Sequence, residues 1–199
     1  MKKPILLPVV TILVVAAVLL CASFGLNGVA AKNAQADHLW LMQTLLPDST
    51  EFTLEPYSGD DTNIRSVHKA DNGFVIETVT YGYAGEITMF IGVNNEGKVT
   101  GLVVRDLSET FGLGREALTD HVFLKQFLNA SGSFEVATHG ADAFSSATGT
   151  TESADGETVE VDGITGATVT SKAIAKSVNS AVAYVTGADV ASSATTWGG

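Results

Sequence analysis

The 199 residues carry 11 Lys+Arg against 22 Asp+Glu, a formal charge of -11, and one cysteine. That balance repels phosphate backbones and argues against nucleic-acid binding, while a lone cysteine rules out an internal disulfide. Once an apolar N-terminal stretch is set aside, about 165 residues remain, enough for one modest globular domain.

From Pro4 to Ala31 no side chain is charged, and Ile5 to Leu20 is almost wholly Leu, Ile, Val and Ala. With its continuation this run is long enough to span a hydrocarbon core of roughly 30 Å. Lys2 and Lys3 precede it and, by the positive-inside tendency, stay cytoplasmic. The remainder, with 9 basic and 22 acidic residues, then lies on the extracytoplasmic face of a cell (inner) membrane as a single-pass protein. A cleaved leader is the alternative, since Ala34-Gln35-Ala36 fits a cleavage pattern, but the apolar run exceeds the usual leader core. Cys21 reads as a membrane-embedded apolar residue.

Ala36 to Leu46 has a short helical pattern closed by Pro47. Strand patterns follow at Ser66–Lys69, Phe74–Thr80, Glu86–Val93 and Lys98–Arg105. Asp71-Asn72-Gly73 and Asn94-Asn95-Glu96-Gly97 supply turn chemistry between them, which predicts an antiparallel meander. Arg115 to Leu128 changes to helical spacing, with Leu118, Val122 and Phe123 or Phe127 expected on the sheet. Ser131 to Glu160 contains no Lys or Arg and six acidic residues; it reads mostly as a solvated loop with a hairpin turn at Asp155-Gly156. Ser171 to Tyr184 is a last amphipathic helix, with Ile174, Val178, Ala181, Val182 and Val185 on one face and Gly187 as its C-cap.

The predicted class is therefore α+β, an antiparallel sheet with packed helices behind a single N-terminal transmembrane helix. The expected divisions are 1–31 for the cytoplasmic stub and anchor, 32–62 for a linker with a short helix, 63–187 for the extracytoplasmic domain and 188–199 for a flexible tail.

Catalytic signals are sparse. There is no cysteine pair, no phosphate loop followed by lysine and no Gly-x-Ser-x-Gly elbow. His38, His68, His121 and His139 have no partner at metal-ligand spacing, so neither a metal site nor a catalytic set is expected. What stands out is the run from Asp162 to Ser171, DGITGATVTS, directly before the last helix. Thr170 or Ser171 would serve as an N-cap, and the free N–H groups of the first turn would favour a phosphate.

This run resembles the flavinylation motif of the FMN-binding domain family, Asp-Gly-x-Ser/Thr-Gly-Ala-Thr. Glu109-Thr110-Phe111-Gly112-Leu113-Gly114 is similar to that family's Glu-Thr-Pro-Gly-Leu-Gly loop, with Phe111 in place of proline. Gly82-Tyr83-Ala84-Gly85 resembles its Gly-Tyr-x-Gly segment. The likeness covers roughly 81–184, with all three segments in order.

The resemblance implies one covalent FMN, transferred from FAD by a flavin transferase onto the hydroxyl of Thr168. It implies cofactor contacts from Asp162, Thr165, Gly166, Ala167 and Thr170, and from Glu109, Thr110, Gly112, Leu113 and Gly114. No general base is called for. The implied role is electron relay among other subunits of a membrane redox complex, as a redox subunit rather than an enzyme acting alone. The short chain with one span favours the G subunit of Rnf-type ion-translocating ferredoxin:NAD oxidoreductases. A stand-alone extracytoplasmic carrier, or the longer C subunit of the sodium-pumping NADH:quinone oxidoreductase, is the alternative. A rival of another class is an anchored acidic binding module, which would be colourless.

Overall fold

A computed structural model describes residues 6–107, 121–137 and 158–188. Helix α1 runs unbroken from Leu6 to Leu45, so the expected span and the short helix after it form one element. Between Val29 and Leu45 there is no Gly or Pro to interrupt it, and Pro47 follows its end. Among the described residues no helix is long and apolar enough to cross a membrane, so the expected membrane helix is not found there. Within the apolar run the described side chains are those of 9–18, and they include the exposed Ile12, Leu13 and Val18. Those at 19–31 lie outside the described residues.

Residues 1–41 and 42–199 form two compact units. In the second, β1 (Thr53–Glu55), β2 (Ile64–Ala70), β3 (Gly73–Tyr81), β4 (Glu86–Asn94) and β5 (Val99–Leu107) make a five-stranded antiparallel sheet in sequential order. The expected meander is present, with β1 added at the edge from within the expected linker. Helix α2 (His121–Lys125), β6 (Ser133–Ala137), β7 (Thr158–Asp162) and α3 (Thr168–Thr186) complete the unit. The fold is thus α+β.

Strand alternation sends Ile76, Ile87, Met89, Ile91 and Val93 to one face, where they share a core with Ile174, Val178, Ala181 and Val182 of α3. On the other face Gly92 and Gly101 are register partners. They leave room for the end of α1: a Cβ on Gly92 would collide with the Leu45 carbonyl, and one on Gly101 would lie 3.0 Å from Leu45 Cα. Thr100 Oγ1 donates to that same carbonyl at 2.6 Å.

One expectation needs correction, and a second falls on the described residues only at its ends. Val122 is 60% exposed, while Phe123 and Phe127 are buried and meet edge-to-face at 5.4 Å. Adjacent helical residues point about 100° apart, so Val122 and Phe123 do not share the inner face. Leu118 lies outside the described residues. In the segment from Ser131 to Glu160 the described ends are not solvated loop, since Ser131, Phe134 and Val159 are buried, and 138–157 lie outside the described residues. Its two ends are β6 and β7, and they pair in parallel, which a hairpin cannot produce. The expected turn at Asp155-Gly156 lies outside the described residues.

Candidate functional site

Strand β7 alternates exposed and buried residues, with Val159 and Val161 inward and Thr158, Glu160 and Asp162 outward. Its register with β6 runs from Ser133↔Thr158 to Ala137↔Asp162. The ladder extends one residue further, as the Gly163 N–H donates to the Ala137 carbonyl at 3.3 Å. A Cβ at Gly163 would stand 2.6 Å from Val136 Cγ1, so the strand end approaches β6 too closely for a larger residue.

The chain then turns. The Ala167 N–H donates to the Ile164 carbonyl at 2.9 Å, and Gly166 has φ 80°. A positive φ at the third turn position alone defines a type II turn, which calls for glycine there. Helix α3 starts at Thr168, with Ala167 in the cap position and no side-chain cap. The expected caps, Thr170 and Ser171, are instead inside the first turn. Ser171 Oγ reaches back to accept the Ile164 N–H at 3.2 Å, tying the loop to the helix. Thr170 Oγ1 is fully buried with no hydrogen-bond partner among the described residues.

The hydroxyls of this loop therefore differ in access. Thr165 is exposed and Thr168 half-buried, whereas Thr170 and Ser171 are sealed in the core. Lys172 is exposed one turn beyond Thr168, and an i, i+4 pair shares a helix face. At the far end Gly187 closes α3 with φ 69° and its N–H on the Ala183 carbonyl, the expected C-cap.

Contacts along α3 fix its direction over the sheet. Thr80 Oγ1 donates to the Ala173 carbonyl at 3.1 Å and lies 2.8 Å from Ser177 Oγ. Phe74, at the start of β3, meets Tyr184 edge-to-face at 5.6 Å. Helix and strand are antiparallel, which puts Thr168 at the sheet end where β3 turns into β4. Strand β5 finishes at this same end, with Leu107 paired to Ile87. Tyr83, in the intervening hairpin, is 78% exposed and so is not a core residue. Glu109, Thr110, Gly112, Leu113 and Gly114 follow β5 in sequence and lie outside the described residues.

Two residues at this site had no sequence signal. Gln126 receives the Asp162 N–H on Oε1 at 2.9 Å and donates from Nε2 to the Asp162 carbonyl at 3.3 Å. Asn179 makes the equivalent pair with Phe134, at 2.7 and 2.9 Å. A single amide side chain looks like any other polar residue until the strand it serves is known. No cluster of His, Cys, Asp or Glu fit to hold a metal occurs among the described residues.

The arrangement offers a phosphate an uncapped helix start, an accessible hydroxyl and a lysine on the same face, a donor set that fits a flavin phosphate. A family model described as an FMN-binding domain matches residues 82–183, which include the β3–β4 hairpin, the loop and most of α3. The chain is 33% identical over 111 residues to the G subunit of a Na(+)-translocating ferredoxin:NAD(+) oxidoreductase complex from Acetobacterium woodii. It is 34% identical over 113 residues to the G subunit of a proton-translocating ferredoxin:NAD(+) oxidoreductase complex from Clostridium ljungdahlii. These matches cover 55% and 57% of the chain, and about half of each relative, 47% and 53%. The G subunit of an ion-translocating oxidoreductase complex from Methanosarcina acetivorans is 30% identical over 194 residues, covering 91% of the chain and 93% of the relative.

Proposed function

The chain belongs to the FMN-binding domain family, and from that premise we propose that Thr168 carries one FMN as a phosphoester and that the protein relays electrons within a membrane redox complex. The observation that carries the reading is the access pattern of the loop hydroxyls. Thr168 is the hydroxyl that both begins α3 and remains partly open to solvent.

In the modification step the Thr168 Oγ1 attacks the flavin-side phosphorus of FAD. The phosphoanhydride bond breaks, a P–O ester bond forms, AMP leaves and the hydroxyl proton passes to the flavin transferase or solvent. Asp162, Thr165, Gly166 and Ala167 present the hydroxyl to that transferase. The N–H groups of the first turn and the Lys172 ammonium then hold the ester's single negative charge. A lysine this close to a helix N-terminus opposes the dipole unless an anion lies beside it.

Bound there, FMN supplies one- and two-electron transfer, and the protein sets its potential and exposure. We assign Glu109, Thr110, Gly112, Leu113 and Gly114 to the ring. The subunit role is supported by relatives named as G subunits of ion-translocating oxidoreductase complexes. By the same likeness its partners are the other subunits of a ferredoxin:NAD oxidoreductase of the Rnf type. The apolar run to Ala31 anchors it as a single span, with the domain on the extracytoplasmic side.

The test is in-gel flavin fluorescence after full denaturation, with the chain co-produced with a flavin transferase. The unaltered chain and Thr165→Val are expected to fluoresce, and Thr168→Val to be dark. A dark unaltered chain, with the transferase active on another substrate, removes the electron-carrier reading and leaves the acidic binding module.

A further inference from the structure

The parallel β6–β7 pair has two outer edges, and each is closed by one carboxamide. In a parallel ladder alternate residues turn their N–H and C=O groups outward. Phe134 does so on β6 and is met by Asn179; Asp162 does so on β7 and is met by Gln126. Both clamps are two-point contacts that imitate a further strand. They differ in where they act. Asn179 is part-buried and lies eleven residues into α3 from Thr168, about 16 Å along the helix axis. Gln126 is likewise half-buried, but its two bonds are exposed, and they hold the last residue of β7, from which the chain enters the loop to Thr168.

Besides the backbone bonds of Gly163 and Ala167, two side chains hold that loop. Ser171 Oγ holds Ile164 from the helix side, and Gln126, just after α2, holds Asp162. Between these ties and Thr168 stand the exposed Thr165 and Gly166.

We propose that Gln126 is a positioning residue for modification of Thr168: it fixes the exit of β7, so that the acceptor hydroxyl is presented to the flavin transferase in one geometry. The proposal rests on the phosphoester reading above. A clamp whose bonds are open to water contributes little to global stability because water replaces them, yet without it the loop samples more conformations before each encounter. Orientation is lost while the fold is kept.

The experiment measures the initial rate of FMN incorporation into the full chain from FAD, by fluorescence in denaturing gels, together with the melting temperature of each unmodified variant. Gln126→Ala is expected to slow incorporation roughly tenfold, the scale set by two lost hydrogen bonds, with its melting temperature nearly unchanged. Amide exchange at Asp162 is expected to rise in the same variant. Asn179→Ala is expected to lower the melting temperature while keeping the rate. Gln126→Glu retains the acceptor for the Asp162 N–H but not the donor to its carbonyl, and is expected to fall between; it serves as the test if Gln126→Ala does not fold. Unaltered rates in the Gln126 variants overturn the proposal alone, as does an Asn179→Ala rate as slow as that of Gln126→Ala. A dark unaltered chain overturns it together with the phosphoester reading.

Discussion

Single side chains in this protein decide access more than stability. Within one short run, four hydroxyls range from exposed Thr165 to sealed Thr170 and Ser171, and that ranking follows from the helix beginning at Thr168. Tyr184, at the other end of α3, has a different consequence. It packs edge-to-face on Tyr57 at 5.9 Å and on Phe74. Burial, followed by the charge of Glu55, raises its phenol above the ordinary value of 10.0. The folded state therefore holds this proton more tightly than the unfolded chain. Its contribution is fully present below the unfolded value and is lost as pH rises through the folded one. Denaturant melts taken on either side of pH 10 are expected to show stability falling more steeply with pH in the unaltered chain than in Tyr184→Phe. Equal slopes would remove Tyr184 as the cause.

At the level of elements, the end of α1 is built into the domain's sheet. Leu45 sits where Gly92 and Gly101 face each other across β4 and β5, its carbonyl bonded to Thr100 Oγ1. Asn72 Nδ2 donates to the Pro47 carbonyl at 2.7 Å, and Ser49 Oγ bonds to Asn72 Oδ1. Gly92→Ala would drive a methyl into the Leu45 carbonyl, so a loss of about 1–3 kcal/mol is expected, as for overpacking. Gly101→Ala, whose methyl meets Leu45 Cα at 3.0 Å, is expected to cost less. Denaturant midpoints of the two variants check the order, and a Gly92→Ala midpoint equal to that of the unaltered chain would show that the helix end is not held there.

For the whole molecule, anchoring is the property the proposed role most depends on. Alkaline washing of membranes is expected to leave the full chain in the pellet and to release a chain lacking 1–31. Release of the full chain would remove the span. Much of the domain is legible in the chain, because its strands obey a period of two and its last helix a period near 3.6, and both report burial locally. The order of the meander follows from turn chemistry at Asp71-Asn72-Gly73 and Asn94–Gly97, and the loop before α3 from a run of small and hydroxyl residues. Other features are pairings between distant segments. The parallel partnership of β6 with β7 joins residues separated by a stretch whose composition reads as loop. The cap at Ala167 escapes a reading of residue types because Thr170 and Ser171 carry the better capping chemistry, yet the turn at Gly166 starts the helix before them. Gln126 and Asn179 become legible only once the strands they clamp are in place, since an amide's partner is set by what folding brings beside it. Element type and family membership are written in periodicity and motif, which are local properties of the chain. Which hydroxyls stay open, and which side chains hold the loop, depend instead on the packing of segments far apart in sequence, because access and hydrogen-bond partners exist only once those segments meet.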